Sequence, residues 1–158
     1  MKIAIGADHR GFELKKYIQE NLNHEHEIKF IDVGVNNPTR TDYPLYTLPV
    51  CLEVLQGSAD LGILICGTGV GMSIAANRFS FIYAGIAWNE EVARLNKEHD
   101  NVNILILPAD FITPEQSVKI INAWLNAEFK GERYKTRLDM IDAINDHDEN
   151  APVRKGCC

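Results

Sequence analysis

Short apolar runs separated by polar turns recur along the chain and predict five β-strands. The run that ends at Cys66 is apolar at almost every position, which is typical of a strand buried on both faces of a parallel sheet. The intervals between successive runs leave room for a helix each time. The predicted strands are residues 2–7, 27–33, 60–66, 81–88 and 102–107.

Between these runs, apolar residues recur at helical spacing and predict six helices. Asn89 is a suitable N-cap for one helix, and Thr113 followed by Pro114 marks the start of another, because proline is tolerated at the first helical position. Pro49 is compatible with a helix only in its first turn, so we expect that helix to begin near Thr47. The predicted helices are residues 12–22, 47–55, 71–77, 89–98, 114–127 and 133–146, the last with Leu138, Ile141 and Ile144 facing inward.

Strands and helices alternate along the whole chain, and this order predicts an α/β fold. We expect a five-stranded parallel open sheet with helices on both faces, Rossmann-like or flavodoxin-like, with an additional C-terminal helix. We expect a single domain over residues 1–147 and a polar, disordered tail over residues 148–158. Ligands of such sheets bind beyond the carboxyl ends of the strands. Four polar segments are expected at that edge: residues 8–9, 66–71, 99–100 and 108–110.

Charge and cysteine content narrow the possible functions. A net charge of −6 over 158 residues argues against a general nucleic-acid-binding protein, whose affinity comes from neutralising phosphates. No stretch approaches the roughly 20 apolar residues of a membrane span, and the early first strand leaves no room for a signal peptide. The cysteines have neither zinc-site nor disulfide-dense spacing, which favours a reducing cytoplasm. They are Cys51, which we interpret as a core residue, Cys66, Cys157 and Cys158.

The glycine-rich segment at residues 66–71, Cys-Gly-Thr-Gly-Val-Gly, is the strongest candidate for a functional site. Glycines at a strand-to-helix turn expose backbone N–H groups, which suit an anion or a developing oxyanion. The segment has neither dinucleotide nor Walker spacing, so a non-nucleotide anion is favoured. Thr68 is either a turn residue or a hydroxyl within the site. Cys66 alone would be interpreted as an inert core thiol, but its place beside a helix N-terminus predicts a lowered pKa and a functional role.

Each of the other polar candidate residues has a structural and a functional interpretation. His99, at a helix end, is either a cation that meets the helix dipole or a general acid or base. Asp8 either caps the following helix or binds sugar hydroxyls, with His9 beside it as a phosphate ligand. Arg133 and Arg137 lie one helical turn apart, so they form either a solvated surface or a fork for phosphate. The remaining histidines, which we interpret as surface residues, are His24, His26 and His147.

Four motifs of the chain occur together in one known family. They are Gly-Ala-Asp-His at residues 6–9, Arg-Thr-Asp-Tyr-Pro at 40–44, Cys-Gly-Thr-Gly-Val-Gly-Met-Ser-Ile-Ala-Ala-Asn at 66–77 and Glu-His at 98–99. Over about residues 1–147 the chain resembles ribose-5-phosphate isomerase B, in the group that includes the galactose-6-phosphate isomerase subunits. The third motif is highly specific for this group. Retention of His99 favours the ribose-5-phosphate branch.

This resemblance implies a cofactor-free aldose–ketose isomerase that interconverts ribose 5-phosphate and ribulose 5-phosphate in the non-oxidative pentose phosphate pathway. It implies that Cys66 is the base that moves a proton between C1 and C2, and that Thr68 and His99 assist opening of the sugar ring. The enediolate would be stabilised by the backbone of the glycine turn. That turn comprises Gly67, Thr68, Gly69, Val70 and Gly71.

The resemblance also implies how substrate is held and how chains assemble. Asp8 would contact sugar hydroxyls, with Tyr43 near the sugar. The family forms homodimers or tetramers with each site at a subunit interface, so His99 would serve the site of the neighbouring chain. The implied partners include no metal, nucleic acid or membrane. The phosphate would be held by His9, Arg133 and Arg137.

Two positions depart from the family pattern. Asp100, which we keep among the substrate-binding candidates, stands where an asparagine that contacts substrate is usual, and Asp110 stands where the usual Gly-x-Arg turn carries an arginine. Like unit charges 4 Å apart repel by roughly 4 kcal/mol at an effective dielectric of about 20. Either these carboxylates turn away, or phosphate affinity falls, or the preferred sugar phosphate differs. The alternatives are therefore an isomerase of a six-carbon sugar phosphate (allose or galactose 6-phosphate) and a non-catalytic phosphate-binding module.

Overall fold

The computed structural model describes residues 1–22 and 27–146. The five strands form in the predicted order, and all paired strands run parallel. The interpretations of His24, His26, His147, Cys157, Cys158 and the 148–158 tail concern residues outside this described part. The strands are β1 (Lys2–Ala7), β2 (Lys29–Asp32), β3 (Leu61–Cys66), β4 (Ala84–Ile86) and β5 (Ile104–Pro108).

The sheet has the order β2-β1-β3-β5-β4, which confirms the predicted parallel open sheet. The chain moves from β1 to one side to form β2 and then crosses to the other side to form β3, so the strand order reverses between β1 and β3. Ligands of open α/β sheets bind at such a switch point, beyond the carboxyl ends of the strands. Asp8 directly follows β1, and Cys66 is the last residue of β3.

The described residues contain six helices, which lie on the two sides of the sheet. They are α1 (Phe12–Asn21), α2 (Pro44–Leu55), α3 (Val70–Ala76), α4 (Glu90–Asp100), α5 (Pro114–Leu125) and α6 (Glu132–Asp146). On one face, Ile18 of α1 and Trp124 of α5 are buried against strand side chains, and on the other face Val50 of α2 and Met72 of α3 are buried. Among the helices of the described residues, none is long and apolar enough to cross a membrane.

At two helix starts, the predicted residues make N-capping hydrogen bonds. The Asn89 side chain accepts a hydrogen bond from the Val92 N–H at the start of α4. Thr113 and Gln116 form a reciprocal capping box at the start of α5, with Pro114 at the first helical position. These signals are local, and they place the helices correctly because each satisfies backbone donors that the helix itself leaves free.

The prediction for the start of α2 is wrong. The helix begins at Pro44, three residues before Thr47, because a proline at the first helical position sacrifices no intrahelical hydrogen bond. Pro49 consequently lies inside the helix, where its missing N–H leaves one such bond unmade. The earlier start makes Tyr43 the N-cap residue and therefore fixes its backbone at the mouth of the site described below.

The predicted strands 27–33 and 81–88 are too long, since β2 and β4 have four and three residues. Both are edge strands of the sheet. An edge strand pairs with a single neighbour, so its length is limited by the residues that this neighbour offers. At β2 and β4 the residues that favour a strand extend beyond those paired with the neighbour, so the predicted strands are longer than the observed ones.

Only part of the predicted inner face of α6 is buried. Leu138 is 7% exposed, whereas Ile141 and Ile144 are 51% and 70% exposed, so the prediction is wrong for these two. The helix is also held by Tyr83, whose hydroxyl donates to Asp142 Oδ2 at 2.6 Å. Burial, together with this hydrogen bond, raises the pKa of Tyr83 to about 12. α6 is therefore a peripheral helix that is buried at Leu138 and leaves Ile141 and Ile144 exposed to solvent.

Candidate active site

The glycine-rich segment, residues 66–71, forms a backbone turn that we name the cradle. β3 ends at Cys66 and α3 begins at Val70, so the chain turns within three residues. Gly69 has a φ of 81°, in the left-handed region that favours glycine. Its N–H donates to Cys66 Sγ, with an N-to-S distance of 3.2 Å. The cradle therefore brings a backbone donor to the thiol at the end of the buried strand.

Tyr43 closes one side of the cradle. A Cβ added to Gly71 would lie 2.5 Å from Tyr43 Cζ and 2.9 Å from its hydroxyl oxygen, so the ring lies directly against the glycine. Glycine at this position is required by the close approach of the ring. The phenol is thereby placed at the rim of the cradle.

Asp8 and His9 lie at the end of β1, on the neighbouring side of the switch point. Asp8 is buried, and its Oδ1 accepts hydrogen bonds from the N–H groups of Arg10 (2.9 Å) and Gly11 (3.2 Å). Gly11 is the N-cap residue of α1, so the capping interpretation of Asp8 is wrong. His9 Nδ1 lies 3.2 Å from the Thr41 carbonyl oxygen and 3.3 Å from its nitrogen, which ties the loop before α2 to the site.

The environment of Cys66 is more apolar than the sequence indicates. Burial raises the pKa of this thiol above its ordinary value, the N–H of Gly69 opposes that rise, and the Asp8 carboxylate adds to it. The predicted lowering of the pKa is therefore wrong, because the lost hydration of the thiolate outweighs the backbone donors. Cys51 is fully buried, as the core interpretation predicts, and burial raises its pKa to about 11.

Arg10 and Asp110 form an ion pair across the cradle. The turn after β5 is held against the cradle, since the N–H of Asp110 donates to the Gly67 carbonyl oxygen at 3.0 Å. A Cβ added to Gly67 would lie 2.7 Å from both Arg10 Nε and Asp110 Oδ2, so the pair covers this glycine. The carboxylate that the sequence places near a bound dianion is thus neutralised by a cation that follows the Asp8-His9 motif.

His99 lies at the opposite edge of the sheet from Cys66, so the prediction that residues 99–100 join the carboxyl edge is wrong. α4 ends at Asp100, and β5 then begins at Ile104, which pairs with Gly62 near the start of β3. Cys66 pairs with the last residue of β5. Four residues of strand, about 13 Å, separate these two levels. A segment that immediately precedes a strand lies at the amino edge of the parallel sheet, irrespective of the chemistry of its side chains.

Four side chains on α4 and α6 form a second group of candidate residues, which we name the α4–α6 cluster. The rings of His99 and Tyr134 stack with centroids 4.3 Å apart and an interplanar angle of 8°. The guanidinium carbons of Arg133 and Arg137 lie 4.9 and 5.6 Å from the Tyr134 ring centroid. The two predicted arginines and His99 are therefore brought together, but far from the cradle of the same chain.

Asp100 is exposed and turns away from the cradle. It lines a groove at the amino edge together with Tyr83, Leu138 and Asp142. Of the two carboxylates that depart from the family pattern, Asp110 is therefore paired and Asp100 is remote from the thiol of its own chain.

The two groups offer different chemistry. The cradle combines a thiol with backbone N–H groups and a hydroxyl from Thr68, which suits proton transfer next to a carbonyl whose oxygen becomes negatively charged. The α4–α6 cluster offers a histidine and two guanidinium groups, which suit a sugar oxygen and a phosphate. In the part of the chain that the structure describes, no group of three or more His, Cys, Asp or Glu side chains is arranged to hold a metal ion.

Sequence reasoning missed two residues of these groups, Arg10 and Tyr134. Arg10 directly follows the Asp8-His9 motif, but its partner Asp110 is 100 residues away and could not be identified from spacing. Tyr134 lies between the two predicted phosphate ligands in a helix, and an aromatic side chain there is as consistent with a surface as with a site.

Comparisons with known proteins identify the family to which the chain belongs. Residues 3–141 match the ribose/galactose isomerase family. Ribose-5-phosphate isomerase B of Escherichia coli strain K12 is 43% identical over 143 residues, which cover 90% of this chain and 95% of that protein. A ribose 5-phosphate isomerase structure from Thermotoga maritima is 42% identical with a TM-score of 0.86, and the match covers 90% of this chain and 97% of that chain.

A second solved structure is ribose-5-phosphate isomerase B from Mycoplasma genitalium with bound ribulose 5-phosphate. It is 38% identical with a TM-score of 0.86, and the match covers 92% of this chain and 97% of that chain. These similarities extend over nearly all of the described residues, from β1 into α6. The chain belongs to the ribose/galactose isomerase family, which includes ribose-5-phosphate isomerase B.

Proposed function

We propose that the protein interconverts ribose 5-phosphate and ribulose 5-phosphate through an enediolate, with Cys66 as the base. The observation that carries this proposal is a thiol at the mouth of a backbone cradle, located where the strand order of a parallel sheet reverses. The relatives named above act on, or bind, these pentose phosphates by name. No metal or organic cofactor is needed for this chemistry.

The reaction needs three proton movements. His99 and Thr68 assist opening of the furanose ring, in which the O1 proton is removed, a proton is delivered to the ring oxygen O4 and the C1–O4 bond breaks to free the C1 aldehyde. The Cys66 thiolate then takes the proton from C2, and the C2–H electron pair moves to form the enediolate, whose oxygen is stabilised by the cradle N–H groups. The proton returns from the thiol to C1 while the O2 proton passes to O1, and this gives the ketose. Asp8 and Tyr43 hold the sugar during these steps.

We further propose that the complete site needs two chains, in a homodimer or tetramer. His99 lies at the opposite sheet edge from Cys66 in one chain, so a histidine that assists this thiol comes from a neighbour. Val70 and Ile74, on the helix that follows the cradle, are 54% and 58% exposed. Apolar side chains of this size beside a site are typical of a covered surface. The partner would contribute Arg133 and Arg137, which bind the phosphate together with His9.

The test is an isomerase assay on the full chain with ribose 5-phosphate, in which ribulose 5-phosphate formation is followed. A positioned general base contributes roughly 10²–10⁴-fold to the rate, so Cys66→Ala should lose activity by about that factor. Cys51→Ala, a change at a buried thiol outside the site, is the matched control and should retain turnover. A parent protein without turnover, and indistinguishable from Cys66→Ala, would exclude the ribose-5-phosphate isomerase and leave the six-carbon isomerase and the phosphate-binding module.

A six-carbon sugar phosphate remains the second candidate substrate, because residue 100 is an aspartate, where the resemblance leads us to expect an asparagine. A carboxylate accepts hydrogen bonds but donates none, so it selects a different hydroxyl arrangement from an amide. Competition among ribose 5-phosphate, allose 6-phosphate and galactose 6-phosphate separates the candidates. Preference for a six-carbon substrate, reversed by Asp100→Asn, would assign the specificity to this residue.

A further inference from the structure

Tyr134 contacts every member of the α4–α6 cluster, although it has no role in the chemistry proposed above. Its ring stacks on His99 with centroids 4.3 Å apart and planes 8° from parallel. Arg133 Nη2 donates to the Tyr134 hydroxyl oxygen at 3.0 Å, and the Arg133 guanidinium lies over the same ring. Arg137 lies 5.6 Å from the ring centroid. One aromatic side chain therefore touches the acid–base candidate and both phosphate ligands.

These contacts restrict three side chains that would otherwise be mobile. Arg133 and Arg137 are exposed, and a free arginine samples many rotamers. Contact of a guanidinium with an aromatic face limits those rotamers and offsets the repulsion between two like charges held close together. Stacking fixes the plane of the His99 ring in the same way. The Tyr134 ring thereby sets the distance between the histidine and the two guanidinium groups.

We infer that Tyr134 is a positioning residue that presents His99, Arg133 and Arg137 as one array to the sugar phosphate bound in the neighbouring chain. This inference rests on the proposed function. The array binds the two ends of an open or cyclic pentose phosphate, with the imidazole at a sugar oxygen and the guanidinium groups at the phosphate. Tyr134 touches no substrate atom itself and acts through these residues.

Two substitutions separate the contributions of the ring and of its hydroxyl. Tyr134→Phe keeps the stack and the cation–π contacts but removes the hydrogen bond to Arg133, so KM for ribose 5-phosphate should rise about two- to fivefold with kcat within about twofold. Tyr134→Leu removes the ring, so kcat should fall and KM should rise, each by roughly three- to tenfold. Lys135→Ala is the matched control, because Lys135 is exposed on the same helix and pairs with Asp139. It should leave both constants unchanged.

Proton NMR of the His99 ring provides a readout that does not depend on turnover. The stacked phenol shifts these protons upfield, and the shift should persist in Tyr134→Phe and be lost in Tyr134→Leu. Titration with inorganic phosphate, followed by calorimetry, should show weaker binding to Tyr134→Leu than to the parent and to Lys135→Ala. Thermal unfolding of each variant identifies any general loss of structure.

Three results would overturn the inference. They are parental kcat and KM in Tyr134→Leu, equal impairment in the Phe and Leu variants, and phosphate binding that is the same with and without the ring. If the parent fails to turn over ribose 5-phosphate, the proposed function is wrong, and the NMR and phosphate titrations then decide whether Tyr134 organises an anion site.

Discussion

The cradle and the α4–α6 cluster are built in opposite ways. The cradle is formed by backbone groups around a thiol that is 5% exposed, within a turn fixed by a buried strand and a helix. The cluster is formed by long side chains on the outer surfaces of two helices. Stabilisation of a developing oxyanion requires dipoles that are oriented before the reaction. A phosphate already carries its charge, and exposed guanidinium groups are sufficient to bind it.

The two regions also differ in charge. The cradle side carries Asp8 and Asp110 with Arg10, whereas the cluster side carries Arg133 and Arg137. In a two-fold symmetric dimer the same two patches meet twice, so a complementary pair on one chain generates two equivalent sites. The difference in construction and charge is consistent with the proposal that the two regions of one chain contribute to two different sites.

The strongest test of this division is complementation between two inactive variants. Cys66→Ala and His99→Ala are co-expressed with different tags, and the mixed dimer is purified through both. One of its two sites then contains both native residues, so we expect about half of the parental activity from a pair of variants that are each nearly inactive.

The matched control places both substitutions in one chain and pairs it with a native chain. Each site then lacks one residue, and we expect almost no activity. If Cys66 and His99 acted within one chain, the results would be reversed: the control would keep half of the activity and the first mixture would have none. That outcome would contradict the two-chain site.

The next largest effect is expected from a change that deforms the cradle. An alanine Cβ at Gly71 would lie 2.5 Å from Tyr43 Cζ, so either the ring or the cradle must move. A misplacement of about 1 Å costs about 100-fold in rate, and we expect Gly71→Ala to lose that much kcat/KM.

The control for Gly71→Ala is Gly57→Ala. Gly57 has a φ of 72°, and within the described residues an added Cβ there would meet no atom within 4 Å. The change should cost about 1 kcal/mol in the free energy of unfolding with kcat/KM unchanged. Equal kinetics for the two variants would show that the shape of the cradle has no part in turnover.

A third prediction concerns pH. Burial raises the pKa of Cys66, so the thiol predominates near neutrality and the basic thiolate becomes more abundant as pH rises. We expect kcat/KM to increase by about tenfold per pH unit below that pKa, with a midpoint above that of an ordinary thiol.

The pH profile of the Cys51→Ala variant serves as the control and should match the parent. A profile that is flat between pH 6 and pH 10 would contradict a role for Cys66 as base.

The smallest effect is expected at the Arg10–Asp110 pair. Arg10→Ala leaves Asp110 unpaired near the phosphate, so we expect KM to rise by about three- to tenfold with little change in kcat, since uniform binding is lost. The Arg10→Ala, Asp110→Ala double variant should recover most of that loss, because both charges are removed together. Steady-state kinetics on the two variants measures this coupling, and equal KM values for them would contradict it.

Much of the fold follows from the sequence because its signals act over a few residues. The capping box of Thr113, the apolar run of β3 and the glycines of the cradle each specify local backbone structure. Local signals were insufficient at α2, where two prolines competed for the first helical position. They were also insufficient at Ile141 and Ile144, because helical spacing cannot indicate whether another element covers that face.

Tertiary structure decided which residues meet and in what environment. The chemistry of His99 favours the carboxyl edge of the sheet, but its place before β5 puts it at the amino edge. The pair of Arg10 with Asp110 joins residues 100 positions apart. The raised pKa of Cys66 depends on burial by distant elements, whereas the sequence shows only the nearby helix start. The sequence by itself determined the thiol, the glycine cradle and the family. Only the folded chain decided their charge environment and the distance between the cradle and the α4–α6 cluster, because solvation and ion pairing depend on contacts between residues that are remote along the chain.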